Sequence, residues 1–402
     1  MSAVEERVLK HKKISTETVV EILFFLFLLV FYLMWARVQP NGAGPDEPMR
    51  YQIAYYIYEH GSLPVGDDPA VRNIVWGISY AFSPILDYMI AAVFMKLVSF
   101  ITTVPFALLM AARFVNILLG LGTVWLALDM GKRLFDRRKA WIFAAFVGLL
   151  PGSLFVFTYV NCDALAVFST AVIVYAWVRY LTEGWTYKNC IILAVGVAVC
   201  RLYYNAYGFI LCSIFFFGIT LFMEAKQKGN YGDFAKKGLL VCVIVMILAA
   251  WWFVRNAILY DGDFLGMNAS SICAEKYAKP AYKPSEKQTP QMAGYTLWDM
   301  LNQGFPKSEG FSWVELVSQS FVGRFGNTKW LINNYMDFIK AGFLLIFLHP
   351  VKTFTLRVKK QWSVKGMFNW FMLIAMIIPN ILNAYYSYAS DYQPQGRYSL
   401  PM

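Results

Sequence analysis

Charge is scarce in this chain of 402 residues. Only 15% of it is Asp, Glu, Lys or Arg, while 58% is hydrophobic and 18% aromatic. A soluble domain carries about 25% charged residues, so a soluble globular protein is excluded. Histidine and cysteine are scarce too. Three histidines (His11, His60, His349) rule out a His-rich metal centre by count. The six cysteines show no CxxC or Cys/His spacing, which leaves no zinc site and no disulfide framework to read. There is no fixed-period repeat and no low-complexity segment, which excludes a solenoid and a disordered linker.

What is present is a series of apolar runs close to the ~20 residues that cross a bilayer. The fold class expected is an all-α polytopic membrane protein. The first run, about 17–36, is followed by Ala36-Arg37-Val38-Gln39-Pro40, without a small-residue cleavage site. It reads as a retained helix, not a signal peptide. The net charge of +11 reflects orientation in a lipid bilayer before it suggests nucleic acid, which is not an expected partner.

The basic clusters set the topology. Arg7, Lys10, Lys12 and Lys13 place the N-terminus in the cytoplasm. Counting Gly77–Phe100 as a span would put Lys132, Arg133, Arg137, Arg138 and Lys139 outside, against the positive-inside rule. It would also carry Asp87 to mid-membrane at a cost of several kcal/mol. Residues 47–60 and 83–98 are therefore read as interfacial helices, the first ending at Gly61-Ser62-Leu63-Pro64. Further spans are expected at about 107–130, 141–160 (broken by Pro151-Gly152), 164–181, two short ones within 189–223, 238–258, 331–348 and 367–388. The total is about nine or more.

Three regions follow: an N-terminal transmembrane module (1–258) whose first outer loop (37–106) carries Asp46 and Glu47, an outer loop or small extracytoplasmic subdomain (259–330), and C-terminal helices (331–402). The chain stops at Met402 in what reads as the start of another span, so the sequence is expected to lack its C-terminus.

This orientation collects Asp46, Glu47, Asp163, Arg201, Arg255, Arg324 and Arg397 on the outer face. Arginine binds phosphate through paired hydrogen bonds, and a carboxylate serves as general base for a hydroxyl. The arrangement suits a lipid-phosphate-linked substrate lying in the membrane with its headgroup at this level. Each residue also has a plainer role open to it. Asp163 starts a span and could cap it. Arg255 follows Trp251-Trp252 and could anchor an interface. Arg113 lies within a span and either reaches for the interface or pairs with a carboxylate. Arg324, flanked by Gly323, and Arg397, after Gly396, sit where backbone can approach a ligand closely.

The order of motifs resembles the GT-C glycosyltransferases, which use polyprenyl-phosphate sugars and include protein O-mannosyltransferases and the aminoarabinose transferase of lipid A. The segments carrying the resemblance are Pro45-Asp46-Glu47-Pro48, Glu59-His60-Gly61-Ser62-Leu63-Pro64 and Ser83-Pro84-Ile85-Leu86-Asp87-Tyr88. They continue with Ala112-Arg113-Phe114, Asn161-Cys162-Asp163-Ala164-Leu165 and Trp251-Trp252-Phe253-Val254-Arg255-Asn256. Ser320–Gly326 and Gln395–Pro401 resemble a narrower bacterial branch.

The resemblance implies a GT-C-like bundle and an inverting sugar transfer on the extracytoplasmic side. The donor would be a polyprenyl-phosphate sugar and the acceptor a glycan, lipid or protein of the cell envelope. Asp46 would be the catalytic base, and Glu47, beside it in the catalytic pair, would with Asp163 position acceptor or donor. Arg255, Arg324 and Arg397 would be candidates for the donor phosphate. Apart from the resemblance, Arg201 and Tyr204 are further substrate-binding candidates on the same face, and Arg50 either holds Asp46 ionised or contacts phosphate. No metal is clearly required, and two carboxylates could hold a divalent cation, as in some relatives. Arg50 departs from the branch, which often has His there, as does Ser83, in place of the first of two prolines. The alternative is a transporter or flippase of a lipid-linked saccharide. It predicts charges within spans and inverted repeats, and neither is evident.

Overall fold

The structure, a computed structural model, describes residues 15–202, 206–306, 310–323 and 363–401. Among these residues it is helical, with no strand. Tyr204, Arg324 and the expected span at 331–348 lie outside the described residues.

The chain begins with α1 (Thr16–Val38), whose N-cap Ser15 accepts from the Thr18 amide. An outer segment follows, with α2 (Glu47–His60) and α3 (Leu86–Ser99). Proline in the first turn and a left-handed Gly61 at the end bound α2, matching the range read from sequence. Then come α4 (Pro105–Leu134), α5 (Arg137–Leu149), α6 (Pro151–Val156), α7 (Asp163–Glu183), α8 (Tyr187–Arg201), α9 (Tyr207–Lys228) and α10 (Tyr231–Leu259). Beyond these are α11 (Met267–Tyr277), α12 (Leu297–Gln303), α13 (Trp313–Val322) and α14 (Val364–Ala389).

Among the described residues, six helices are long and apolar enough to cross a membrane: α1, α4, α7, α9, α10 and α14. This is the architecture of a multi-pass membrane protein. The segment expected as a span broken at Pro151-Gly152, 141–160, consists of two helices of 13 and 6 residues split at that point. Pro151 has no amide proton and forces the preceding Leu150 to extended geometry (φ −58°, ψ 123°), which ends α5. The α8 helix, at 15 residues, is also too short for a straight span.

The central element is α4, which packs on α1, α3, α5 and α7. The non-helical stretch after α6 lies buried against it, where its backbone polar groups need partners. Asn116 of α4 supplies them, donating to the carbonyls of Tyr159 at 2.6 Å and Asn161 at 2.9 Å. The Asn161 side chain donates to Val156 and Tyr159 and accepts from the Ala164 amide. One irregular turn is thereby fixed at one end of the bundle. The opposite end carries the basic clusters, paired locally: Lys132 with Glu21, Arg133 with Asp129 and Glu183, and Lys237 with Asp233.

Candidate active site

The adjacent acids Asp46 and Glu47 point in different directions. Asp46 is the N-cap of α2 and has left-handed backbone (φ 61°, ψ 10°). Aspartate tolerates this conformation better than most residues, and the cost is about 1 kcal/mol. Strain of this kind gathers at functional sites. The Asp46 side chain stays 34% exposed. Its Oδ2 accepts from the Tyr80 hydroxyl at 2.9 Å and lies 3.6 Å from Nη2 of Arg397.

Glu47 turns inward and is fully buried. Arg113 of α4 grips it with two bonds of 2.7 Å, Nε to Oε1 and Nη2 to Oε2. The amides of Gly42 and Val160 donate to the same carboxylate at 3.1 and 3.0 Å. The remaining protons of Arg113 go to the carbonyls of Ala36, Gln39 and Pro40 at the C-terminal end of α1. A cation is favourable at a helix C-terminus, where carbonyls lack partners. The pair thus bolts α1, α2, α4 and the 157–162 turn together. Both Glu47 oxygens are occupied, so the two acids do not form a paired metal-ligand set. Among the described residues, no group of three or more His, Cys, Asp or Glu is placed to hold a metal ion.

Asp163 opens α7 but does not cap it. The N-cap position belongs to Cys162, and Asn161 binds the Ala164 amide. Asp163 instead sits between two guanidiniums, Nη1 of Arg50 at 3.5 Å and Nε of Arg397 at 3.6 Å, with 1% of its side chain exposed. Asp46, Arg397, Asp163 and Arg50 therefore alternate in sign along one line. Arg50 also lies over the Tyr80 ring at 4.9 Å. Arg397 donates to the hydroxyls of Tyr159 (3.1 Å) and Tyr398 (3.2 Å). Neither Nε of Arg50 nor Nε of Arg397 has a hydrogen-bond partner among the described residues, although both residues are buried. Burial pushes the Cys162 thiol up to about 11, so it is no thiolate at neutral pH. The Tyr80 and Tyr159 hydroxyls are raised by burial as well and stay protonated.

Arg397 is held by close backbone contact. A Cβ on Gly396 would lie 2.0 Å from the Phe321 amide nitrogen, so only glycine lets this turn lie against α13. Gly44 plays the same part on the other side: a Cβ there would sit 2.2 Å from Cδ2 of Tyr159. Gly44→Ala must displace the ring that positions Arg397. It is expected to cost about 1–3 kcal/mol as an overpacking change, read as a lower thermal midpoint in detergent.

Of the other predicted arginines among the described residues, Arg201 and Arg255 do not join this line. Arg201 lies over the rings of Phe253 (4.1 Å) and Tyr207 (5.1 Å) and donates to the Tyr207 hydroxyl. Arg255 donates to the Pro64 carbonyl at 2.7 Å and lies over Trp252. Sequence reading passed over Tyr80 and Tyr159, which carry no motif. It left open the partner of Arg113, whose signal was a base within an apolar run.

No protein-family model matches the chain, and no curated protein matches it.

Proposed function

We propose that this protein transfers a sugar from a polyprenyl-phosphate-linked donor to an acceptor hydroxyl of the cell envelope, with inversion, at the extracytoplasmic face. The observation that carries the reading is the partly exposed Asp46 beside the buried Arg397, which shares one buried acid, Asp163, with the buried Arg50. The extracytoplasmic side is supported by the basic clusters at the other end of the bundle, which the positive-inside rule favours in the cytoplasm.

In this reading the acceptor oxygen approaches Oδ1 of Asp46, while Tyr80 and Arg397 hold Oδ2. Asp46 takes the hydroxyl proton as the oxygen bonds to the anomeric carbon. The bond from that carbon to the phosphate oxygen breaks, and its electron pair leaves with the prenyl phosphate. Arg397 and Arg50 stabilise that developing charge in a site of low dielectric. Glu47 touches no substrate and acts as a positioning residue for the Asp46 backbone.

The test uses purified protein in lipid nanodiscs with a panel of synthetic prenyl-phosphate sugars labelled at the anomeric carbon. The expected result is release of prenyl phosphate in step with a glycoside of inverted configuration. Retention of configuration contradicts Asp46 as base in a single displacement. Movement of intact donor across the bilayer without turnover contradicts the transferase reading and favours a flippase.

A further inference from the structure

Asp87 has no role in the chemistry above, yet it is a carboxyl with 2% exposure at the foot of the same cluster. It lies in the first turn of α3, which packs on α2 and α4. Its Oδ1 has no hydrogen-bond partner among the described residues. The titratable groups facing it are Arg50 of α2, Cys162 and Asp163 at the start of α7, and its neighbour Tyr88. On α4, Arg113 is committed to Glu47.

We propose that Asp87 is a positioning acid that carries a proton at neutral pH, and so leaves the charge of Arg50 available to an anionic donor. The inference rests on reading the site as one that binds a lipid phosphate.

An ionised carboxylate in this place would need strong partners. Among the described residues Asp87 forms no ion pair, and Arg50, the cation acting on it, is already paired with Asp163, whose own charge opposes a second anion. Burial is the main cause that raises Asp87 to about 8; Asp163 adds to the shift and Arg50 opposes it. With Asp87 protonated, the line Asp46, Arg397, Asp163, Arg50 is balanced, and an incoming phosphate is met by two guanidiniums. With Asp87 ionised, the cluster gains one negative charge and repels the phosphate. The sign for stability is the same. A carboxyl raised on folding contributes stability that is fully present below its unfolded value and lost as pH rises through the folded value.

Two measurements test this on the full chain in nanodiscs. The first is infrared titration of the carbonyl stretch of a protonated buried carboxylic acid. A band that disappears as pH rises through about 8, and is missing in Asp87→Asn, is expected. Its absence from the wild type at neutral pH overturns the proposal without any variant. The second is binding of dodecyl methyl phosphate, a diester whose own charge is fixed across the range. Wild-type affinity is expected to fall about tenfold from about pH 7 to about pH 9, while Asp87→Asn stays level. A parallel decline in both proteins overturns the role of Asp87. If Asp46→Asn turns sugar over normally while these results hold, the catalytic reading fails and the account of Asp87 stands.

Discussion

Asp46→Asn is expected to lower sugar transfer by about 10²–10⁴-fold while leaving the protein folded, the range that removal of a general base produces. The amide matches the carboxylate in shape and still accepts from Tyr80. Asparagine tolerates the left-handed backbone at φ 61° at least as well as aspartate. Helix α2 therefore starts as before, and thermal unfolding should match wild type within about 0.5 kcal/mol. What is lost is the proton acceptor. Donor affinity should hold or rise, because Arg397 is released from a carboxylate 3.6 Å away. Initial rates of prenyl-phosphate release, with donor binding measured separately, check the prediction. An unchanged rate removes Asp46 from the mechanism.

Glu47→Gln is expected to act the other way, costing about 3–5 kcal/mol of stability, because it leaves the Arg113 charge buried without its counter-ion. Against a total stability of about 5–15 kcal/mol this is large, and poor yield of folded protein should follow. Arg113 also serves three carbonyls at the end of α1, which distinguishes it from a simple ion pair. Replacing both partners by apolar residues often restores stability when a pair stands alone. Here the double variant Glu47→Leu with Arg113→Met is expected to stay destabilised, since those carbonyls lose their donor. Full recovery in the double variant, by unfolding in detergent, would show that the carbonyl bonds contribute nothing.

The contrast between these neighbours marks where sequence reading ends. Alternation of proline, acids and an amphipathic run located α2 from Glu47 to His60, because capping and proline rules act locally. That Asp46 faces out and Glu47 faces in depends on one backbone angle, which no spacing of side chains reveals. Long apolar runs marked the spanning helices. The break at Leu150 was visible as Pro151, but the buried turn beyond it depends on Asn116, a residue over forty positions earlier. Charge patterning gathered the arginines at one end of the bundle without separating roles. Arg50 and Arg397 meet Asp163, whereas Arg201 and Arg255 lie on aromatic rings. Cation–aromatic packing and ion pairing draw on the same residue type, so only the fold distinguishes them. Asp87 was read as part of an interfacial helix, and its burial beneath the packing of α2 and α4 on α3 was not legible in the sequence.

The most direct measurement is the position of a bound prenyl phosphate, determined by electron cryomicroscopy of the wild-type protein in nanodiscs with a non-hydrolysable donor analogue. The account predicts phosphate density within hydrogen-bond reach of Arg397 or Arg50, on the side not taken by Asp163, with the anomeric carbon facing Asp46 and the prenyl chain running into the bilayer. Phosphate density at the opposite end of the bundle, beside Lys132 and Arg133, with none near Asp46, would contradict it.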